Sequence, residues 1–284
     1  MTFLKKLGCA AAIALAAGAA QAESVMNNWT FDANGAAAGK GQLVNEYLDV
    51  NGNAFIQLTP TGINSFSFKE HGVFNIAQAD GNGQLFPLTF PGGNITVTLE
   101  ATGTGKFSGG FTFSGGTVRM YQNPTNGQYG STSGIFGANL GNLIGTFDVQ
   151  AGGGGRVDAT GNPTGNGDVS IFTSAAQGKL AAGYFFNSAG VDMSTLDNTA
   201  FAFTNANPIS KKGLSDNLIG EVACQFAGFT AAGCTAKTYA NAPGQYFFVS
   251  NNGQFKFADV PEPGSVALFG IALFGIGAMR RRMK

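Results

Sequence analysis

The sequence predicts a mostly β protein, a single β-sandwich or jelly-roll-like domain with Gly-rich turns. Three observations point there. Glycine occupies 44 of 284 positions and charged residues only 11%, where an ordinary soluble domain carries ~25% charge. Phenylalanine occurs 26 times, which gives ample apolar volume for a core and argues against a disordered polar chain. Apolar residues alternate at period two between clusters of Gly, Asn and Pro, the pattern of half-buried strands joined by turns. Glycine at this density also argues against a helical bundle, since each interior position costs ~1 kcal/mol relative to alanine. Collagen is ruled out, because no G-X-Y period exists and there are only nine prolines.

Residues 1–22 read as a signal peptide rather than as part of the fold. Lys5 and Lys6 form a positive n-region, residues 7–17 an apolar run, and Ala20-Gln21-Ala22 an A-x-A cleavage site. Cys9 sits at the start of the apolar stretch, three residues after Lys6, instead of following it, which argues against lipidation. Export through the Sec translocon and cleavage by signal peptidase follow, with a mature chain beginning near Glu23.

Residues 23–258 form the β-rich extracellular body. Ile95, Val97, Leu99 and Ala101 are expected to face inward, with Thr96, Thr98 and Glu100 outward. The alternation returns at Leu143, Gly145, Phe147 and Val149, at Val169, Ile171 and Thr173, and at Phe201, Phe203 and Asn205. Asp80-Gly81-Asn82-Gly83 reads as a turn. So does Asn251-Asn252-Gly253, joining 246–250 to 254–257 as a hairpin, because Asn-Gly supplies the positive φ such turns need. The run Gly152-Gly153-Gly154-Gly155 reads as a loop. Phe107-Ser108-Gly109-Gly110 and its copy Phe113-Ser114-Gly115-Gly116 read as paired strand-turn glycines. One helical stretch is expected around 215–226.

Residues 259–284 are a second address. Val260-Pro261-Glu262-Pro263 precedes the uncharged span 264–279, which is followed by Arg280, Arg281, Arg282 and Lys284. As a helix that span would be about 24 Å long, short of the ~30 Å hydrocarbon core, and its basic end belongs on the cytoplasmic side. The order Pro-Glu-Pro, apolar transmembrane helix, arginine cluster resembles the PEP-CTERM sorting signal of Gram-negative bacteria. The resemblance implies recognition by an exosortase, a membrane cysteine transpeptidase-like enzyme. It also implies cleavage near Pro261 to Pro263 and a host that makes exopolysaccharide.

Without the leader and the tail from Pro261, 10 basic residues face 15 acidic ones, so the body is near −5 although the whole chain is neutral. No basic patch remains, Lys211-Lys212 reads as a solvated turn, and nucleic acid is not a partner. Cys224 and Cys234 are the only cysteines left, and in an exported protein an even count favours a disulfide. Their nine-residue separation does not fit metal-ligand spacing, and His71 is the only histidine, so no metal site is assigned.

Little in the body carries chemistry. There is no phosphate-binding glycine motif and no G-x-S-x-G elbow. Glu70 and His71 are adjacent in a strand and point to opposite faces, with His71 read as a surface or turn residue. Glycoside hydrolysis needs only two carboxylates, for which Glu46, Asp49, Glu70 and Glu100 are equal candidates. The segment from Asp158 to Asp168, with Asn162 and Asn166, has oxygen ligands for calcium, although an ordinary Asn/Gly loop is the simpler reading. No other cofactor is expected. Trp29, Tyr121, Tyr129 and Tyr184 are candidate exposed aromatics for stacking on sugar rings.

A second resemblance spans more of the chain. Val44-Asn45-Glu46-Tyr47-Leu48-Asp49-Val50, residues 68–72, residues 137–149 and Asn252-Gly253-Gln254-Phe255 are together similar to flocculation-associated PEP-CTERM proteins. This implies a non-enzymatic protein of the cell surface or extracellular matrix that promotes cell aggregation in an exopolysaccharide matrix. The alternative is a secreted carbohydrate-active enzyme or carbohydrate-binding module. An outer-membrane barrel is disfavoured, because regular ~10-residue lipid-facing strands are lacking and the chain ends in a basic tail.

Overall fold

The computed structural model describes residues 24–33, 35, 41–81, 84–87, 94–123, 129–165, 169–206, 209–210, 214–230, 233–234 and 239–259. Ala20, Ala22, Pro261, Glu262, Pro263, Arg280, Arg281 and Arg282 lie outside them, as do the apolar span 264–279, Lys211, Lys212, Asn166 and Asp168.

Residues Val25–Ala258 form one compact unit, and it is mostly β. Its strands are β1 (Ser24–Val25), β2 (Trp29–Phe31), β3 (Gln42–Val44), β4 (Tyr47–Gly62), β5 (Ser65–Gly81), β6 (Gln84–Pro87), β7 (Asn94–Lys106) and β8 (Gly110–Asn123). They continue with β9 (Asn142–Val149), β10 (Gly152–Arg156), β11 (Val169–Ala176), β12 (Phe185–Phe186), β13 (Asn198–Ala206), β14 (Ile209–Ser210) and β15 (Tyr246–Asp259). Twelve of them make one large sheet, and β12, β2 and β3 a small one. The helical stretch expected at 215–226 is present as one α-turn, Asp216–Leu218, running into a π-helix, Ile219–Phe226. Ser215 caps it by accepting from the Leu218 N–H.

The large sheet is compatible with a sandwich, and its hydrogen-bonded path returns on itself. β4, β5, β7 and β8 follow as antiparallel neighbours; β9 and β10 together bridge β8 to β11; β13 and β15 complete the path. β15 then pairs with β4 over eleven consecutive positions, from Tyr246↔Gln57 to Lys256↔Tyr47. The last strand therefore closes on the first long one, which removes two sheet edges that would otherwise invite pairing with another chain.

This closure overturns the expected hairpin at Asn251-Asn252-Gly253. Those residues pair with Gly52, Asn51 and Val50 in the middle of an unbroken strand. A favourable turn sequence is outweighed by what the extended strand buries: Phe247, Val249, Phe255 and Phe257 all point into the main core, each worth ~1.5–3 kcal/mol of burial. Gly152–Gly155 is likewise strand β10 and not a loop. A Cβ on Gly154 would collide with the Phe111 carbonyl, so that position between β8 and β11 admits no side chain. Of the paired glycine copies, the first turns the chain between β7 and β8, whereas the second lies inside β8. Of the expected turn at Asp80–Gly83, Asp80 and Gly81 end β5, with Gly81 pairing with Gln84, and Asn82 and Gly83 lie outside the described residues.

Inside the sheet sits the main core, rich in phenylalanine. Phe201 stacks on Phe147 at 4.5 Å between ring centroids, and Trp29 meets Phe257 edge-on at 4.9 Å. The inward residues Ile95, Val97, Leu99, Ala101, Val169, Ile171, Phe201 and Phe203 are buried as expected. Leu143 is not: a register shift between Met120 and Tyr121 turns Ile144 inward and leaves Leu143 exposed. Thr96 and Thr98 are also buried although they face outward. A second core covers that face, where Phe55, Val73 and Phe248 meet Leu218, Val222 and Ala223 of the helical segment and Phe136 of a loop. The Thr96 hydroxyl donates to the Ala138 carbonyl beneath this cover.

Candidate functional site

The candidate carboxylates do not converge. Glu46 is held by Lys256. Glu100 accepts from Arg119 at 2.7 Å on the outward face of β7. Asp49, between the inward Leu48 and Val50, is half-buried, and desolvation raises its pKa. Glu70 alone turns into the interior, so the sheet stands between it and Glu100. Lys256 and Arg119 thus account for Glu46 and Glu100, whereas Asp49 and Glu70 are placed by strand parity and have no cation paired to them among the described residues.

His71 lies in the middle of β5, not in a turn or on the open surface. It pairs with Phe55 on one side and Glu100 on the other, and its ring stands edge-on to Phe226 at 5.0 Å. Burial under the helical cover lowers its pKa; the Glu100 charge raises it, Lys69 lowers it further, and the net shift is downward. Its Nδ1 is buried without a hydrogen-bond partner, as are Asn53 Oδ1 and Glu221 Oε2. Cys224 and Cys234 form a disulfide with Cα atoms 5.7 Å apart. It ties the π-helix to the segment beside the aromatic group Phe229, Tyr239 and Tyr246, which packs on Phe55.

The aromatics expected to be exposed are not platforms. Trp29 is fully buried in the main core. Tyr129 donates to the Val73 carbonyl at 3.0 Å and is enclosed enough that burial pushes its phenol up. Tyr121 and Tyr184 are half-buried, and the Tyr184 ring packs against Phe31. The exposed aromatic among the described residues is Phe172, 45% accessible, outward on β11 beside the bare glycines of β10. Parity marks it, since Ile171 and Thr173 on either side are inward.

In the loop after Val157, Asp158 Oδ1 accepts from the Thr160 N–H and hydroxyl at 2.7 Å and from the Asn162 N–H at 3.0 Å. Desolvation raises its pKa, but these hydrogen bonds outweigh that, and the carboxyl is held below its ordinary value. One oxygen of this carboxylate, Oδ1, is thus engaged by the loop itself, and Asn166 and Asp168 of the expected segment lie outside the described residues. Among the described residues no three His, Cys, Asp or Glu side chains gather as a metal site.

The same loop closes one side of an interior pocket of about 30 Å³, lined by Phe66, Phe68, Glu70, Phe111, Pro163 and Asn251 with aliphatic neighbours. Glu70 is 6% exposed, and desolvation raises its pKa from 4.5 to about 7. Asn251 is 7% exposed and its Oδ1 has no partner. Sequence reasoning separated these residues: Glu70 entered as one carboxylate among four, and Asn251 as part of a turn. Only the closure of β15 on β4 brings Asn251 into this pocket.

A PEP-CTERM protein-sorting motif matches residues 259–282. Comparison with curated proteins and with solved structures finds no match to the chain. The motif begins on the last residue of β15 and bears on none of the body's chemistry.

Proposed function

We propose that this exported, exosortase-sorted protein acts at the cell surface or in the extracellular matrix by non-enzymatic adhesion, promoting cell aggregation in exopolysaccharide. The observation that carries the reading is the sorting motif at 259–282, which marks export, membrane anchoring before sorting and an exosortase as processing partner. The body supports it. Glu46 and Glu100 are ion-paired, and Phe172, an exposed aromatic, stands beside a strip of glycine backbone where a flat sugar ring can stack. Each such contact is worth only ~1 kcal/mol, and many copies in a matrix act together through effective concentration.

A deletion strain tests this. It is expected to grow dispersed while still making polysaccharide, and complementation restores the flocs. Unchanged settling refutes the adhesive role, and sugar release from matrix by the purified protein refutes the non-enzymatic one.

A further inference from the structure

The interior pocket combines two features that need explaining. Its polar side chains are Glu70 and Asn251, each more than nine-tenths buried. Asn251 Oδ1 is buried and accepts from nothing among the described residues, and no charged neighbour or hydrogen bond offsets the desolvation of the Glu70 carboxyl. Two unmet acceptors in an apolar enclosure call for a donor. No cationic side chain among the described residues lines the pocket to supply it. Lys256 of β15 is committed to Glu46, Arg119 of β8 to Glu100, and Asp158 of the adjoining loop to its own backbone. Glu70 is the one titratable residue in the lining.

We infer that the pocket is a binding site for a single primary ammonium group. Such a group carries three N–H donors and a positive charge, so it satisfies Asn251 Oδ1 and compensates the Glu70 carboxylate together. The rings of Phe66, Phe68 and Phe111 add the apolar, electron-rich walls that cations favour. Size excludes the alternatives. A volume of about 30 Å³ takes a group no larger than one or two waters, too small for a guanidinium or a quaternary ammonium. Three side-chain oxygens, two from Glu70 and one from Asn251, are too few for calcium, which takes six to eight. Phe111 and Pro163 are half-buried at the rim, which gives an entry.

The site is independent of how the protein is sorted. Its test uses the full chain in mild detergent at pH above 7, where Glu70 is ionised. Thermal unfolding is followed in methylammonium chloride, tetramethylammonium chloride and sodium chloride at equal ionic strength. Methylammonium is expected to raise the midpoint saturably by about 5 °C, with no rise from the other two salts. Lowering the pH to about 5 should weaken binding at least tenfold, because a proton then competes for Glu70. Glu70→Gln keeps the shape, removes the charge and is expected to abolish the response; Asn251→Leu is expected to weaken it about tenfold. Equal midpoints in all three salts, or a full response in folded Glu70→Gln protein, overturns the inference.

Discussion

Replacing Glu70 by Gln is the most informative single perturbation. The Glu70 carboxyl is buried, with no charged neighbour or hydrogen bond to offset its desolvation, and titrates near pH 7 instead of 4.5. A carboxyl whose folded-state pKa is raised binds its proton more tightly in the native than in the unfolded chain. Its share of stability is therefore intact below about pH 4.5 and lost progressively as pH rises toward 7. The shift between those two values corresponds to about 3 kcal/mol, fully expressed above pH 7. Glutamine has the same shape and no charge, so the variant lacks this slope. In sodium buffers, with no amine present, urea unfolding from pH 4 to 8.5 should give nearly equal stabilities at the acid end. At the alkaline end Glu70→Gln should be more stable by about 3 kcal/mol. The difference between the two proteins isolates Glu70 from His71, whose lowered pKa acts oppositely: its contribution is present above its unfolded value and lost as pH falls. Parallel profiles, or a wild type that gains on the variant as pH rises, would refute the assignment of an uncompensated interior carboxyl.

Gly154→Ala should cost about 3 kcal/mol or more, read as a lower urea midpoint, because φ is +123° and a Cβ meets the Phe111 carbonyl. Gly152→Ala, with open space around its Cβ position, should be milder. Alkylation of the native protein before reduction should leave Cys224 and Cys234 unlabelled. Breaking the bond by Cys234→Ser should lower stability by at most about 3 kcal/mol for a loop of this length.

What could be read in the chain and what could not divide along the range of the interactions. The sorting motif at 259–282 is read from charge, apolar length and Pro-Glu-Pro along the chain, so it is legible without any fold, and the leader expected at 1–22 is a reading of the same kind. The β class was legible for the same reason. Period two at 95–101, 169–173 and 201–203 is a local property, and those residues are inward in the structure. Glu70 and His71 do face opposite ways, as a strand demands. The failures all sit where a distant strand decides. Asn251-Asn252-Gly253 has turn chemistry, but β4, about 200 residues earlier, holds it extended. The glycines of β10 look like slack, yet they are strand, and Gly154 passes so close to the Phe111 carbonyl that no side chain fits there.

The outward face at Thr96 and Thr98 would be wet in an isolated strand. It is dry because the loop carrying Phe136 and Ala138, about 40 residues downstream, lies over β7 in the same second core as the helical segment. Sequence alone therefore determined the export route, the β character and the inward parity of the regular strands, since each depends on neighbours along the chain. Tertiary structure alone decided the closure of the sheet, the second core and the meeting of Glu70 with Asn251. Those depend on which strands pair, and pairing is set by the summed burial of many side chains contributed from both ends of the body.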